Sequence, residues 1–262
     1  VGMGRMADPS AIASAILSLL ESAGTRPPSG DHDDLKKMRL VVTAGPTIED
    51  IDPVRFISNR STGKMGFAIA ERAAARGAEV TLIAGPVSLA TPAGVSRIDV
   101  RGALSMREAL WTAMGKDLSR ADALVMAAAV ADHRPAEPSA TKVKKVGSAD
   151  AHSAPGRSTM KLIENPDLLA EIGAGRSRRT HPVLVGFAVE TAGGRELVAY
   201  ARRKLAEKRV DLVVANEARS SFGRDDNRAT LVTKKSADAL PAMSKVALAD
   251  VLLDRVRRLL WT

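Results

Sequence analysis

Short apolar runs alternate with amphipathic segments along most of the chain. The apolar runs are rich in Val, Leu, Ile and Ala, which is typical of strands buried on both faces of a sheet. Between them, apolar residues recur every three or four positions, which predicts helices with one buried face. Strands are predicted over Arg39–Ala44, Glu79–Ala84, Ser96–Val100, Ala123–Ala128, Val183–Phe187 and Asp211–Ala215, and helices over Gly66–Arg76, Ser105–Leu118, Leu168–Ile172, Arg195–Lys208 and Lys245–Leu260.

This alternation predicts an α/β fold with a Rossmann-like, mostly parallel sheet and helices on both faces. Ligands of such sheets bind beyond the carboxyl ends of the strands, so the polar residues that follow each strand are candidates for a site. Residues Pro135–Thr159 interrupt the alternation. We interpret them as an excursion from the sheet, either a flap or an antiparallel arm.

The first residues do not continue the pattern. Asp8 and Pro9 predict a helix start, and apolar residues follow them at helical spacing. Gly24–Asp34 is rich in proline, glycine and charge, as linkers are. We therefore divide the chain into a separate unit at 1–23, a linker at 24–37 and one domain at 38–262.

Composition restricts the classes of function. The net charge of +9 favours an anionic partner, either a nucleotide, a phosphorylated metabolite or nucleic acid. Aromatic residues make up 3% of the chain, which argues against a groove that stacks the bases of a single strand. Cysteine is absent and the histidines show no metal-ligand spacing, so neither thiol catalysis nor a dedicated metal site is expected. No apolar run approaches the ~20 residues of a membrane span, and we expect a cytoplasmic protein with no membrane partner.

The connection between the first strand and the first helix is unusually long. It has about twenty residues, whereas two to six are usual for such a connection. It also lacks the G-x-G-x-x-G pattern of a dinucleotide site, since its nearest glycine spacing is Gly63 to Gly66. The loop is either a disordered insertion or a functional element. The apolar residues Val54, Phe56 and Ile57 favour an ordered, functional loop.

This loop contains residues suited to a ligand with a phosphate and a carboxylate. Arg55 is able to hold an anion through two hydrogen bonds. The side-chain amide of Asn59, four residues later, is able to stabilise a carbonyl oxygen as charge develops on it. The first amides of the helix after Gly63 are able to bind an anion. Lys64 is either a surface lysine in the first turn of that helix or a ligand contact.

Polar residues also follow the later strands. Asp132 follows the Ala123–Ala128 strand and is either a turn residue or a contact to a sugar hydroxyl or a Mg²⁺–nucleotide. Asp167 is a natural helix cap, which leaves Asn165 able to contact the edge of a base.

Two further features have alternative interpretations. Phe187 belongs either to the core or to a platform that stacks on a base. Lys204 and Lys208 are four residues apart on one helix face, where they are either solvated or bind a triphosphate.

Together these segments resemble the phosphopantothenate–cysteine ligase family, also called phosphopantothenoylcysteine synthetases, which form one domain of a bacterial bifunctional enzyme of coenzyme A biosynthesis. The resemblance extends from about Lys37 to the C-terminus, and Gly2–Pro9 resembles the tail of the FMN-dependent decarboxylase that precedes that domain. Two departures are Thr62, where a second serine is common, and Gly147–Arg157, which does not match the flap of the family. The matching motifs are DPVRFISNRSTGKMG (Asp52–Gly66), AAAVAD (Ala127–Asp132), KVKK (Lys142–Lys145), ENPD (Glu164–Asp167), GFAVET (Gly186–Thr191) and DLVVAN (Asp211–Asn216).

The resemblance implies a ligase that joins 4′-phosphopantothenate to L-cysteine through an acyl-cytidylate made from CTP, with Mg²⁺ or Mn²⁺. It implies a homodimer with substrate sites near the subunit contact, and we interpret the stretch around Asp52–Ile57 as an element shared between the subunits. It also implies that Asn59, Arg55 and Lys142 act in catalysis, with Lys142 on a flap. Substrate binding is assigned to Arg55, Asn59, Gly63, Lys64 and Gly66, and nucleotide binding to Ala127, Ala128, Ala129, Asp132, Lys142, Ile163, Glu164, Asn165, Pro166, Phe187, Lys204 and Lys208.

Two alternatives belong to other classes. A NAD(P)-dependent oxidoreductase on a similar sheet requires tight binding of the dinucleotide, and the missing glycine pattern argues against it. A basic nucleic-acid-binding module agrees with the positive charge and requires an affinity that falls steeply with salt. It assigns no role to the loop at Asp52–Gly66, so we expect no nucleic-acid partner.

Overall fold

The structure is a computed structural model, and it describes residues 33–144, 159–176, 181–190, 193–217 and 226–261. The separate unit predicted at 1–23 and the flap segment Gly147–Arg157 lie outside the described residues. The strands are β1 (Arg39–Ala44), β2 (Ile48–Asp50), β3 (Phe56–Ser58), β4 (Glu79–Ala84), β5 (Val95–Asp99), β6 (Ala123–Met126), β7 (His133–Pro135), β8 (Leu162–Glu164), β9 (Val183–Glu190), β10 (Leu212–Glu217), β11 (Asp226–Asn227), β12 (Ala229–Val232), β13 (Ala237–Ala239) and β14 (Met243–Ser244). The helices are α1 (Lys64–Ala75), α2 (Ala103–Met114), α3 (Leu168–Gly175), α4 (Gly194–Glu207) and α5 (Lys245–Leu260).

Eight of these strands form one sheet in the order β13-β12-β10-β9-β6-β1-β4-β5. All neighbours from β10 to β5 are parallel, while β12 and β13 add an antiparallel edge. The prediction of a mostly parallel α/β sheet is confirmed. The chain proceeds from β1 to β4 and β5 on one side and then returns to β6 on the other side of β1. The strand order therefore reverses between β1 and β6, where doubly wound sheets bind ligands.

Each face of the sheet has its own core. In β1, Leu40 and Val42 point to the face covered by α1 and α5, while Val41 points to the face covered by α2, α3 and α4. The near-continuous apolar runs in the sequence follow from this burial on both faces. The predicted placement of helices on both sides of the sheet is confirmed.

Short antiparallel pairs extend from the sheet at its ligand-binding edge. β2 pairs with β3 in the long loop after β1, so this loop is an ordered hairpin in its central part. β7 pairs with β8 through His133–Glu164 and Pro135–Leu162, so an antiparallel pair flanks the excursion that was predicted at Pro135–Thr159.

The start of α2 differs from its prediction. The sequence predicts this helix over Ser105–Leu118, whereas the observed helix spans Ala103–Met114. Ser105 Oγ instead accepts a hydrogen bond from the Gly102 N–H (3.1 Å), and Glu49 Oε1 accepts one from the Ala103 N–H (2.8 Å). The cap is supplied by a carboxylate from β2, more than fifty residues earlier in the chain, which a local sequence pattern does not reveal.

Residues Asp33–Lys37, at the end of the predicted linker, fold against the domain. Leu35 is fully buried, and Asp34 forms ion pairs with Arg76 (2.6 Å) and Arg257 (2.8 Å). Hydrogen bonding by Arg76 outweighs the effect of burial and holds the pKa of Asp34 below its ordinary value. Arg76 is itself buried and also contacts Asp254 (2.6 Å). The folded domain therefore begins before Met38, and this ionic cluster fastens its first residues to α1 and α5.

Among the described residues, no helix has both the length and the apolar composition needed to cross a membrane.

Replacing Arg76 by Met should destabilise the protein, because Asp34 loses its principal charged partner while remaining buried. We expect the free energy of unfolding to fall by about 3 kcal/mol, the usual cost of breaking a buried ion pair. Urea unfolding at pH 7 measures this loss. The Lys36→Met variant is a matched control, because it removes an exposed pair with Asp33 and should cost less than about 1 kcal/mol.

The effect of Arg76→Met should also depend on pH. Because the folded-state pKa of Asp34 is lowered, its stabilisation is complete above the ordinary value of about 3.9 and is lost as the pH falls through the lowered value. The stability difference between the wild type and Arg76→Met should therefore be constant near neutral pH and shrink in acid. A difference that grows on acidification would contradict this account of the cluster.

Candidate functional site

A cavity of about 790 Å³ lies where the strand order reverses, beyond the carboxyl ends of β1, β6, β9 and β10. It is lined by the end of the long loop, the start of α1, the segment after β6, the start of α3 and part of α4. The lining residues are Asn59–Gly66, Met126–His133, Glu164–Leu169, Phe187, Val189, Lys204, Lys208, Asn216 and Lys245.

The start of α1 forms one wall of the cavity. Gly63 precedes the helix with a φ of +76°, a conformation that side chains other than glycine rarely adopt. Within the described part of the chain, no side chain caps this end of the helix. At Gly66 an added Cβ would lie 2.5 Å from the Cβ of Ala44, so only glycine lets α1 approach β1 this closely. The first turn of α1 therefore faces the cavity, where its amides are suited to bind an anion.

Asn59 is held against the opposite wall. Its Nδ2 donates to the carbonyl oxygens of Ala129 (3.2 Å) and Val130 (3.0 Å). Two acceptors determine the orientation of the amide and engage both of its N–H groups. The remaining polar atom is Oδ1, an acceptor. The sequence predicted that this amide donates to a developing oxyanion, whereas the two contacts of Nδ2 leave the acceptor Oδ1 available for a ligand.

The segment after β6 is anchored by the residues that follow β1. The N–H of Ala128 donates to Thr43 Oγ1 (3.1 Å), that of Ala129 to the Gly45 carbonyl (2.9 Å) and that of Ala131 to Thr47 Oγ1 (2.9 Å). Both threonines are fully buried. The predicted nucleotide-binding residues Ala127, Ala128 and Ala129 lie on this wall, and Asp132 follows it with an exposed side chain.

Asn165 ties the start of α3 to the same wall. Its Nδ2 donates to the Ala131 carbonyl (2.8 Å), and its Oδ1 accepts from Arg134 Nη1 (2.9 Å). The predicted cap is present, since Asp167 accepts from the Ala170 N–H (3.0 Å). Both polar atoms of the Asn165 amide are thus engaged, so this side chain fixes the start of α3 against the segment after β6.

Lys204 and Lys208 line the cavity from α4. Lys208 Nζ lies 2.8 Å from Asp167 Oδ2. Burial alone would raise the pKa of Asp167, but hydrogen bonds from Lys208 and the Ala170 N–H lower it. Lys204 Nζ donates to the Phe187 carbonyl (2.7 Å). The two lysines are therefore directed at the cavity and do not extend into solvent.

Phe187 was interpreted either as a core residue or as a platform for a base, and its position is compatible with both. Its ring is half-buried and packs against the core beneath α1 and α5, and it also lines the cavity. An aromatic face at this place is suited to contact a base.

The charge of the cavity is predominantly positive. Four lysines line it, namely Lys64, Lys204, Lys208 and Lys245, against the three acids Asp132, Glu164 and Asp167. A cavity with an excess of cations and a helix N-terminus is suited to a phosphorylated ligand. Among the described residues, no group of three or more acidic or histidine side chains is placed to hold a metal ion.

Two polar residues that line this cavity from distant elements, Asn216 and Lys245, were not among the predicted site residues. Asn216 is the penultimate residue of β10 and is 4% exposed, and its Oδ1 has no hydrogen-bond partner among the described residues. An unsatisfied buried acceptor in a cavity is suited to a ligand N–H or O–H group. Lys245 begins α5. The end of the DLVVAN motif was a signal for Asn216, whereas nothing local indicated Lys245.

Three predicted site residues do not line the cavity. Arg55 forms an ion pair with Asp52 (2.5 Å) and donates to the Val143 carbonyl (2.7 Å), and this pairing holds the pKa of Asp52 well below its usual range. Lys142 is exposed, and Ile163 lies on β8, where it pairs with Arg134. The β2–β3 pairing directs Arg55 away from the cavity that Asn59 enters.

The fold and the cavity define an α/β protein with a cavity at the switch point of a doubly wound sheet. The chain belongs to the family described as the DNA/pantothenate metabolism flavoprotein C-terminal domain, whose model matches residues 35–260.

Similar proteins agree with this assignment. The coenzyme A biosynthesis bifunctional protein CoaBC of Vibrio cholerae is 42% identical over 82% of this chain and 51% of its own length. That of Escherichia coli is 39% identical over 98% of this chain and 58% of its own length. The chain thus spans about half the length of the curated relatives it matches. A crystal structure of the C-terminal domain of a CoaBC protein is 33% identical and covers 87% of this chain and 98% of that domain, with a TM-score of 0.70.

Proposed function

We propose that this domain is a phosphopantothenate–cysteine ligase, which joins 4′-phosphopantothenate to L-cysteine at the expense of CTP. The observation that carries the proposal is the switch-point cavity, where a helix N-terminus and four lysines face the Asn59 loop. The bifunctional relatives are named for coenzyme A biosynthesis, which agrees with this substrate class.

The nucleotide is proposed to occupy the side of the cavity near α3 and α4. There Lys204 and Lys208 bind the triphosphate, and Phe187 contacts the base together with the segment Glu164–Pro166. Asp132 contacts the ribose or the Mg²⁺ that accompanies the nucleotide, since Mg²⁺ is commonly held by one or two carboxylates and the phosphates themselves. The unsatisfied Oδ1 of Asn216 is available to a donor group of the same ligand.

The reaction is proposed to proceed in two steps. The carboxylate of the acid attacks the α-phosphorus of CTP, and pyrophosphate leaves. The amine of cysteine then attacks the acyl carbon of the acyl-cytidylate, a C–N bond forms, the C–O bond to CMP breaks and the amine proton passes to solvent. Asn59 Oδ1 accepts a hydrogen bond from the attacking amine and so directs its lone pair at the acyl carbon.

The protein is further proposed to act as a cytoplasmic homodimer, as part of a chain that includes a decarboxylase domain. The β2–β3 hairpin exposes Val54 (60%) and Phe56 (52%) on either side of Arg55. Apolar side chains this exposed favour a protein contact. We propose that this hairpin packs against the partner subunit of a two-fold dimer, with Arg55 beside the partner's cavity. Lys142 directly precedes Val143, whose carbonyl accepts a hydrogen bond from Arg55 and whose N–H donates to Asp52. We therefore include Lys142 in the same proposed subunit contact.

The two other function classes receive less support. A dinucleotide enzyme needs a short glycine-rich turn after β1, whereas this chain places a hairpin and Asn59 there. A nucleic-acid-binding module needs an extended basic surface, whereas four of the described lysines line one concave cavity.

Pyrophosphate release should require CTP, 4′-phosphopantothenate and a divalent metal together, and ATP should not replace CTP. Lys204→Met should raise the KM for CTP roughly tenfold, the value of one lost contact to a charged group. A coupled pyrophosphate assay measures both effects. Lys161→Met is the control, because Lys161 is exposed and lies outside the cavity. The KM of this variant for CTP should equal that of the wild type. Consumption of ATP but not CTP would contradict the nucleotide assignment.

Asn59→Asp should slow amide formation more than the activation of the acid. A carboxylate has no N–H groups for the carbonyls of Ala129 and Val130, and these oxygens repel its negative charge. The nucleotide side of the cavity is unchanged by this substitution. The acyl-cytidylate should accumulate, and rapid-quench chromatography with labelled CTP detects it. Equal slowing of both steps would show that Asn59 only positions substrate.

Mixing two inactive variants should test whether Arg55 acts across a dimer. If Arg55 serves the partner's cavity, each mixed dimer of an Arg55→Ala chain and an Asn59→Asp chain has one intact site. In an equal mixture about half of the dimers are mixed, so about a quarter of all sites are intact. Activity after subunit exchange should therefore recover to about a quarter of the wild-type value. Recovery should be absent when Arg55→Ala is mixed with an Arg55→Ala, Asn59→Asp double variant. No recovery in the first mixture would place the role of Arg55 within its own subunit.

A further inference from the structure

Thr47 lies three residues beyond β1, and its side chain is fully buried. Its polar groups contact three different partners. The backbone N–H donates to the Ala129 carbonyl (3.2 Å), the backbone carbonyl accepts from Ser58 Oγ (2.8 Å), and Oγ1 accepts from the Ala131 N–H (2.9 Å). One buried residue therefore joins the first strand, the loop that carries Asn59 and the wall of the cavity.

The contacts of Thr47 converge with those of Asn59. Asn59 follows Ser58 directly, and its Nδ2 donates to the carbonyls of Ala129 and Val130. The Ala129 carbonyl thus accepts hydrogen bonds from both Thr47 and Asn59. Thr47 holds the backbone next to Asn59 on one side and the acceptors of the Asn59 amide on the other. The relative position of the amide and the wall therefore depends on Thr47.

We propose that Thr47 is a positioning residue for the acyl-transfer step, acting through Asn59. This inference rests on the proposed ligase function. The segment it orients is the one that presents Asn59 Oδ1 to the attacking amine, whereas the triphosphate contacts of Lys204 and Lys208 lie on α4. A change at Thr47 should therefore affect the second chemical step more than the first.

Valine has nearly the shape of threonine but no acceptor for the Ala131 N–H. Ala131 is buried, so its N–H would lose its partner without gaining water. The wall would have to shift to recover a hydrogen bond, and the carbonyls that orient Asn59 belong to the same stretch. Serine retains the hydroxyl and should retain the arrangement.

The test compares Thr47→Val and Thr47→Ser in single-turnover experiments. Pyrophosphate release from CTP and 4′-phosphopantothenate measures the first step, and the decay of acyl-cytidylate after addition of cysteine measures the second. Thr47→Val should slow the second step roughly 10- to 100-fold, the effect of a displacement of about 1 Å at a reacting centre. The first step should change less than about threefold, and Thr47→Ser should restore the second step to near the wild-type rate.

Thr43→Val is the matched control. Thr43 is also fully buried, and its Oγ1 also accepts from an amide of the wall, that of Ala128 (3.1 Å). It makes no contact with Ser58 or Asn59 among its described hydrogen bonds. Thr43→Val should slow the second step much less than Thr47→Val does. Equal slowing of both steps by Thr47→Val, or equal slowing of the second step by the two variants, would overturn the proposal.

A measurement without substrates separates this inference from the ligase proposal. Hydrogen–deuterium exchange should become about tenfold faster in peptides covering 57–62 and 127–132 of Thr47→Val, and should be unchanged in Thr47→Ser. Unchanged exchange of 57–62 in Thr47→Val would overturn the positioning role. If the wild type releases no pyrophosphate from CTP but the exchange result holds, the ligase proposal fails while the structural link from Thr47 to the Asn59 loop stands.

Discussion

The reversal of strand order between β1 and β6 is the constraint on which the site depends. Two parallel neighbours whose chains depart to opposite sides leave a crevice at their carboxyl ends, because no crossover covers that edge. The crevice would expose the backbone after both strands. Thr43, Gly45 and Thr47 instead accept hydrogen bonds from three amides after β6, so the wall is rigid and its polar groups are satisfied.

The rigid wall determines what Asn59 presents to a ligand. An asparagine amide has two donor hydrogens and an acceptor oxygen, and which one faces the ligand depends on the partners of the other. Here two carbonyls of the wall engage the donors, so the acceptor remains. The same logic applies to the cations of the cavity. Lys208 is held by Asp167, and Lys204 by the carbonyl of Phe187, so their charges are oriented before any ligand arrives.

Much of the fold was predictable because burial on both faces of a parallel sheet produces recognisable apolar runs. The helix α5 has the predicted bounds, and an antiparallel pair flanks the segment Pro135–Thr159, where the alternation is interrupted. Errors occurred where a distant residue replaces a local signal. The cap of α2 comes from Glu49 on β2, and the linker expected up to residue 37 ends earlier because Leu35 is buried and Arg76 binds Asp34.

The sequence by itself determined the α/β class, the six parallel strands of the main sheet and the long loop with its Asn59 and glycine motif, because periodicity and turn chemistry are local properties of the chain. The tertiary structure alone decided which of the candidates meet. Arg55 and Asn59 are four residues apart, yet the intervening strand β3 pairs with β2, so Arg55 binds Asp52 outside the cavity while Asn59 contacts its wall. Asn216 and Lys245 join the same cavity from β10 and α5, since only the packing of the sheet brings those ends together.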